Sequence, residues 1–192
     1  IQSQISKVTR ALQESWQADT NQQELVPGEK KADWLENHLR HTPDKIDINF
    51  NPKIIHRALD LIENRRAAWL KQEFVLAHGD PHEYNTLAVS DEKAGAYRLV
   101  DPDGMVFEAA YDLGILLRNW IDTYRQADPA GELRRRARWL SEQTAVAKNA
   151  IISWGFVEIV STGIHLAELG YVEEAKDYLQ LGEAVATRLP QM

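Results

Sequence analysis

The sequence contains no cysteine among its 192 residues. Disulfides, thiolate-bound zinc and cysteine nucleophiles are therefore excluded. Long apolar runs are also missing: none approaches the ~18 residues that indicate a membrane-spanning segment, so we expect no membrane partner. The amino terminus, IQSQISKVTR, lacks the features of a signal peptide, and the expected location is the cytoplasm.

Basic residues are also fewer than acidic ones. The chain has 29 acidic and 22 basic side chains, a formal net charge of −7. Because nucleic-acid binding normally needs a basic face, we expect no nucleic-acid partner. One arginine run, residues 134–138, is expected to be the solvated face of a helix. The composition, 44% hydrophobic and 27% charged, is that of an ordinary soluble globular protein.

Apolar residues recur at helical spacing through most of the chain. The predicted helices are Ile1–Trp16, Glu29–Leu39, Asn51–Leu70, Ala110–Arg125, Pro129–Val146, Ala150–Leu169 and Val172–Leu189. Within the second helix, Trp34, Leu35 and Leu39 are expected to face the core.

Short β-type runs interrupt the helices in the middle of the chain. The predicted strands are Phe74–Ala77, Thr86–Val89 and Tyr97–Val100, and the last two flank the polar turn SDEKAG as a hairpin. The predicted fold class is therefore α+β and mostly helical, with one small β-hairpin. We expect a single unit made of a helical segment (1–73), a loop and hairpin (74–104) and C-terminal helices (105–192).

The densest polar cluster borders this hairpin. The stretch FVLAHGDPHEYNTLAV, residues 74–89, contains His78, Asp80, His82 and Asn85, and VDPDG follows the second strand. A hairpin brings its outer ends together, so Asp80, Asn85 and Asp101 are expected to converge. A carboxylate free of metal can take a proton from a hydroxyl, and a second carboxylate with an amide oxygen suits magnesium held with ATP phosphates.

Two other interpretations of the cluster stay open at this point. Asp and Asn are common turn residues beside strands, so the group could be a purely structural polar turn. The spacing His78-x-Asp80-x-His82 is also compatible with a metallohydrolase. Such sites usually need further ligand clusters, and the remaining histidines, at positions 38, 41, 56 and 165, form none in the sequence.

The pattern HGD-x-x-x-x-N, followed by two apolar strands and an Asp-Pro, resembles the aminoglycoside phosphotransferase family. That family shares its fold with protein kinases, which carry H-R-D-x-x-x-x-N and D-F-G. HGDPHEYNTL, RLVDPDG, EAAYDLG and WGFVEIVSTG are most similar to the streptomycin-type branch, the aminoglycoside and hydroxyurea resistance kinases. The likeness runs from about residue 74 to 189. It implies the C-terminal lobe of a protein-kinase-like fold.

The resemblance also implies an activity. It implies that ATP, with Mg²⁺, donates its γ-phosphoryl group to a hydroxyl of a small and possibly cationic molecule, an amino-sugar such as streptomycin. Asp80 would be the catalytic base, and Asn85 and Asp101 would bind Mg²⁺. His78 and Asp112 would support the catalytic loop. The candidate contacts are His82 and Asp103 for phosphate or substrate, and Glu158 and Glu168 for substrate.

Several parts of a kinase are missing from the sequence. Upstream of Asp80 there are two glycines, no G-x-G and no lysine in a strand-like context. With the start at Ile1, this predicts that the N-terminal ATP-covering lobe is absent from this chain and that the chain alone is inactive. Gly79 replaces the arginine of H-R-D, and MVFEAAY is too short for an activation loop, so no phosphorylation switch is expected.

Two alternatives to this function remain on sequence grounds. The first is a noncatalytic fragment or a pseudokinase-like binding module. The second is a kinase of another small alcohol or sugar. The oligomeric state cannot be inferred from these patterns.

Overall fold

Seven α-helices make up most of the structure, a computed structural model that describes residues 2–20, 25–88, 97–125 and 128–188. The helices in this part of the chain are α1 (Gln2–Ser15), α2 (Gly28–His41), α3 (Lys53–Ala67), α4 (Ala109–Arg118), α5 (Pro129–Thr144), α6 (Lys148–Glu168) and α7 (Val172–Ala186). All seven predicted helices are confirmed, with ends that differ by several residues. Asn51 accepts a hydrogen bond from the backbone of Lys53 at 3.1 Å, which caps the start of α3.

Helix α6 is the centre of the core. It packs against α2, α3, α4, α5 and α7, and nearly all of its residues between 150 and 164 are buried. By length and composition α6 could span a membrane, although no such segment was expected from the sequence. Its most apolar window is 78% buried inside the fold, as in the core helix of a globular protein.

Two glycines bring α4 and α6 unusually close. A Cβ added at Gly114 would lie 2.6 Å from the Cβ of Trp154, and one added at Gly155 would lie 2.8 Å from Leu117. Neither glycine could carry a side chain without moving the helices apart. This close contact lets Tyr111 and Arg118 of α4 reach Glu158 of α6.

Five short strands form two small sheets in the described chain. They are β1 (Val26–Pro27), β2 (Val75–Ala77), β3 (Thr86–Ala88), β4 (Tyr97–Leu99) and β5 (Met105–Phe107). In the first sheet β5 lies between β1, to which it is parallel, and β2, to which it is antiparallel. In the second sheet β3 pairs antiparallel with β4, with Thr86 opposite Leu99.

The predicted hairpin is thus confirmed for its described residues, whereas its turn, SDEKAG, lies outside them. Strands β1 and β5 were not predicted. Val26–Pro27 lies between the first two predicted helices, and β5 lies within MVFEAAY, where no strand was predicted. Strands of two or three residues leave too short a pattern for period-2 alternation to be recognised.

Two side-chain predictions were wrong. Trp34 does not face the core; it is 50% exposed and stacks on His38 with ring centroids 5.1 Å apart. Arg136 is not solvated like the rest of its run. Its guanidinium is buried, bonds Glu132 at 2.9 Å and lies 4.4 Å from the ring centroid of Tyr124. A guanidinium can cover apolar surface while its N–H groups are paired, which composition alone does not reveal.

Glu108, just before α4, joins three helices through its carboxylate. Trp69 and Trp154 donate their indole N–H groups to Oε1 at 2.8 and 2.7 Å. Arg65 bonds both oxygens, at 3.2 and 2.5 Å. Both partners of the ion pair are mostly shielded from water, with side chains 19% and 12% exposed. The N-terminal end of α4 is therefore fixed to α3 and α6.

We expect the substitution Glu108→Gln to lower the free energy of unfolding by about 2–4 kcal/mol, because it leaves the shielded Arg65 without its counter-charge. Urea unfolding measures the change. The matched control is Glu14→Gln, at a side chain that is 72% exposed, for which less than about 0.5 kcal/mol is expected. Equal effects of the two substitutions would contradict a structural role for the Glu108 junction.

A buried histidine on α2 makes stability depend on pH. His38 has Nε2 3.4 Å from the carbonyl oxygen of Ser161 and Nδ1 3.0 Å from the hydroxyl of Thr42. Burial lowers the pKa of His38 below its ordinary value of 6.5, although the bond to Ser161 and the charge of Glu168 act in the other direction. The native state therefore binds this proton less readily than the unfolded chain does.

It follows that the contribution of His38 to stability is complete above about pH 6.5 and declines as the pH falls from there towards its lower native pKa. We expect His38→Gln to remove this part of the dependence. Urea unfolding at a series of pH values from 7.5 to 5 tests it, with exposed His56→Gln as the control. If the free energy of unfolding of His38→Gln changes with pH as steeply as that of the unaltered protein, other groups cause the pH dependence.

Candidate functional site

The loop that carries the polar cluster is held by a buried carboxylate on α4. Asp112 is fully buried and accepts the backbone N–H groups of His78 and Gly79 at 3.0 and 2.9 Å. The indole of Trp16, just after α1, donates to the same carboxylate at 2.9 Å. Burial raises the pKa of Asp112, while these hydrogen bonds act in the opposite direction. Asp112 thus holds the backbone of this loop at His78 and Gly79.

His78 connects the loop to the second strand of the hairpin. Its Nδ1 accepts the backbone N–H of Asp80 at 3.3 Å, so its proton lies on Nε2, which is 3.0 Å from the carbonyl oxygen of Val100. The imidazole is only 5% exposed. These contacts suit the loop-supporting role expected for His78.

Asn85 links the two halves of the cluster. Its side-chain nitrogen donates to the carbonyl oxygen of Asp80 at 3.1 Å, and its own carbonyl oxygen accepts the N–H of Val100 at 2.9 Å. Since Val100 precedes Asp101, the hairpin brings together the three residues predicted to converge. The amide nitrogen faces the protein, so the amide oxygen is the atom that Asn85 can offer to a ligand.

Asp101 is exposed and has a φ of 56°, in the left-handed region. Asp tolerates this conformation better than most residues, and such strain is common where a side chain must be aimed. Asp101 and Asn85 each carry a side-chain oxygen of the hard type that Mg²⁺ prefers. No group of three or more His, Asp or Glu side chains suited to a metal occurs in the described residues. Two protein oxygens nevertheless fit Mg²⁺, which keeps several waters and takes further oxygens from phosphates.

Asp103 is held differently from Asp101. Its backbone N–H donates to the carbonyl oxygen of His78 at 2.8 Å, and its carboxylate lies 3.2 Å from the ammonium of Lys31 on α2. Gly79 packs against it with a φ of 91°, and a Cβ there would lie 2.6 Å from the Cβ of Asp103. The glycine that replaces the kinase arginine is therefore required by both its backbone conformation and this contact.

The Asp80 carboxylate has two cationic or polar neighbours. Arg118, the last residue of α4, donates from Nη2 to Oδ1 at 2.8 Å. His82 has its Nε2 3.3 Å from Oδ2. The Asp80 side chain stays 37% exposed, so a ligand can reach it. The predicted contact residue His82 thus lies beside the predicted base.

Arg118 was not predicted as a site residue. It belongs to no motif and lies 38 positions after Asp80. The one available indication was its place on the helix of Asp112, six residues further along. Arg118 also bonds Glu158 at 3.1 Å, and Tyr111 donates to the other oxygen of Glu158 at 2.5 Å.

The two glutamates proposed for substrate lie in different places. Glu158 is 4% exposed and has both oxygens engaged by Arg118 and Tyr111. Glu168 lies ten residues further along α6, about 15 Å at 1.5 Å per residue, with His165 3.7 Å away. The site therefore includes Glu158 as a buried neighbour and does not include Glu168, whose substrate role stays a prediction.

Comparison with known protein families identifies the family of this chain's sequence. A sequence profile of the family described as aminoglycoside/hydroxyurea antibiotic resistance kinase matches residues 8–170. The matched range covers the loop, the hairpin and helices α2 to α6, and it begins well before residue 74, where the resemblance in the motifs began. No curated protein sequence and no solved structure matches the chain.

We expect Gly79→Ala to destabilise the protein more than Gly170→Ala does. Gly170 has a similar φ of 85° with nothing within 4 Å of an added Cβ, so it reports backbone strain alone, about 1–2 kcal/mol. Gly79→Ala adds the contact with Asp103. Urea unfolding of both variants measures the difference. Equal losses would mean that the loop can yield around Asp103 without cost.

Proposed function

This chain belongs to the aminoglycoside/hydroxyurea antibiotic resistance kinase family, and we propose that it provides the acceptor-binding and catalytic part of an enzyme that phosphorylates an amino-sugar such as streptomycin at a hydroxyl. The family supports a phosphotransferase of the kinase type. The donor in this proposal is ATP, used with Mg²⁺.

The observation that carries the proposal is the double link through Asn85. One side-chain bond fixes Asn85 to Asp80, and one backbone bond fixes it beside Asp101. These bonds support a site at the outer ends of the β3–β4 hairpin in which Asp80 is the proton acceptor and Asn85 and Asp101 bind the metal. Phosphoryl transfer depends mainly on such positioning, because the protein has little covalent chemistry to perform.

In the proposed reaction Asp80 is the proton acceptor. The acceptor hydroxyl approaches Oδ2, since Oδ1 is engaged by Arg118. Its oxygen forms a bond to the γ-phosphorus of ATP, the bond from that phosphorus to the bridging oxygen breaks, and the hydroxyl proton passes to Asp80. ADP leaves with the electron pair of the broken bond. His82, beside Oδ2, is placed to contact the acceptor or the transferred phosphoryl group.

Asn85 and Asp101 would hold Mg²⁺ in this arrangement. When bound, the ion offsets the negative charge of the phosphate oxygens. Lys31 already offsets the charge of Asp103, which favours Asp101 as the carboxylate that the metal takes.

The charge around Asp80 supports a cationic acceptor. Asp80 and Glu158 share one guanidinium, that of Arg118, at 2.8 and 3.1 Å, so these three side chains carry a formal net charge of −1. An amino-sugar is suited to this environment because it offers both ammonium groups and hydroxyls.

We expect Asp80→Asn in the natural full-length protein to lower kcat by about 10²–10⁴-fold, the usual contribution of a general base, with the KM for ATP little changed. ATP consumption in the presence of Mg²⁺ is measured against a panel of aminoglycosides and small sugars. The control is Asp60→Asn, at an exposed position on α3.

Near-normal turnover by Asp80→Asn would remove Asp80 from the role of base. If no cationic amino-sugar stimulates ATP consumption but another small alcohol does, the acceptor class is wrong and the kinase remains. If the unaltered protein phosphorylates nothing in the panel, the noncatalytic alternative gains.

A further inference from the structure

Helix α4 holds the catalytic loop at two separate points. Asp112, in its first half, accepts the backbone N–H groups of His78 and Gly79. Arg118, at its last residue, bonds the side chain of Asp80 at 2.8 Å. The backbone contact sets where the loop lies, but it leaves the carboxylate of Asp80 free to rotate about its own side-chain bonds. The second contact is a hydrogen bond to the carboxylate itself, so it can fix the direction of the carboxylate.

The Arg118 guanidinium is itself held by a second carboxylate. Its Nη1 donates to Glu158 at 3.1 Å, and the second oxygen of Glu158 accepts the hydroxyl of Tyr111 at 2.5 Å. Tyr111 and Glu158 are 0% and 4% exposed. Tyr111 and Arg118 are seven residues apart on α4, two helical turns, and so share a face. Glu158 reaches both because Gly114 and Gly155 let α4 and α6 approach closely.

The charges of Arg118, Glu158 and Asp80 also fit a role beyond stability. Burial disfavours the cation of Arg118, but Glu158 and Asp80 outweigh it, and the pKa of Arg118 is raised. An arginine alone would neutralise the carboxylate that it holds. With Glu158 included, two carboxylates and one guanidinium leave a net charge of −1. Asp80 is thereby oriented without losing its negative environment.

We propose that Arg118 is a positioning residue for Asp80, holding Oδ1 so that Oδ2 faces the acceptor hydroxyl, and that Glu158 and Tyr111 hold the guanidinium in that orientation. This inference rests on the proposed function, in which Asp80 is the base. It assigns Glu158 to the support of Arg118 rather than to contact with substrate. Lysine could not replace Arg118, because a single ammonium lacks the planar fork that bonds two carboxylates at once.

Steady-state kinetics of the natural full-length protein test the proposal. For Arg118→Ala we expect kcat to fall about 10–100-fold, since a misplacement of about 1 Å can cost that much, with both KM values within about threefold. Arg118→Lys should lose about tenfold in kcat, and Tyr111→Phe about fivefold, as for one hydrogen bond. The control is Arg10→Ala, at a side chain that is 85% exposed, which should be unaffected.

Two further measurements separate positioning from a general loss of structure. Millimolar methylguanidinium should restore at least about tenfold of the lost kcat in Arg118→Ala, because the vacated space opens beside Asp80, and should restore nothing in Asp80→Asn. In the Asp80→Asn background, Arg118→Ala should cost less than about a further twofold, because residues that act as one unit are not additive.

Full kcat in Arg118→Ala or Arg118→Lys overturns the proposal, as does a full additional loss in the Asp80→Asn background. If Arg118→Ala does not fold, Arg118→Lys and Tyr111→Phe decide by the same criterion. If the unaltered protein phosphorylates no acceptor, the proposed function fails separately. Urea unfolding then decides whether Arg118 holds Asp80. Losses that are less than additive in the Arg118→Ala/Asp80→Asn double variant support the contact, and additive losses contradict it.

Discussion

The buried carboxylate of Asp112 is the constraint on which the site depends. A carboxylate taken out of water is costly unless donors surround it, and here three N–H groups do so, from His78, Gly79 and Trp16. The loop that begins at His78, helix α4 and the end of α1 must therefore adopt their positions together. If the loop moved away, the carboxylate of Asp112 would stay buried in apolar surroundings without its hydrogen-bond donors. The backbone of the loop is therefore held in place before any ligand binds.

Helix α4 transmits this constraint to the rest of the site. Its N-terminal end is fixed by Glu108 to two tryptophans and an arginine, and its C-terminal end places Arg118 between Asp80 and Glu158. Its middle lies against α6 through a pair of glycines. A ten-residue helix held at both ends and along its length is a rigid support for Asp112 and Arg118, the two side chains that contact the loop. The core and the site are thus stabilised by the same packing.

The sequence predicted those parts of the molecule that leave a local pattern. Amphipathic stripes identified the helices, and a polar turn between two β-type runs identified the hairpin, from which the approach of Asn85 to Asp80 followed. Strands β1 and β5 were not predicted, because two or three residues are too few to show the alternation that identifies a strand. Arg118 was not predicted because its partners, Asp80 and Glu158, lie 38 and 40 positions away in the chain. Arg136 was not predicted because its guanidinium is covered where α5 packs against Tyr124. Their burial depends on how the helices pack, and no pattern within either helix encodes that.

We propose that Asp80, Asn85 and Asp101 form one site for a phosphoryl group and its metal. A crystal structure of the natural full-length protein with Mg²⁺, a non-hydrolysable ATP analogue and an aminoglycoside would show whether they do. We expect Mg²⁺ bound by the Asn85 amide oxygen and the Asp101 carboxylate at about 2.0–2.1 Å, with Oδ2 of Asp80 within hydrogen-bond distance of an acceptor hydroxyl. Magnesium bound away from Asn85 and Asp101, or an acceptor hydroxyl remote from Asp80, would contradict it.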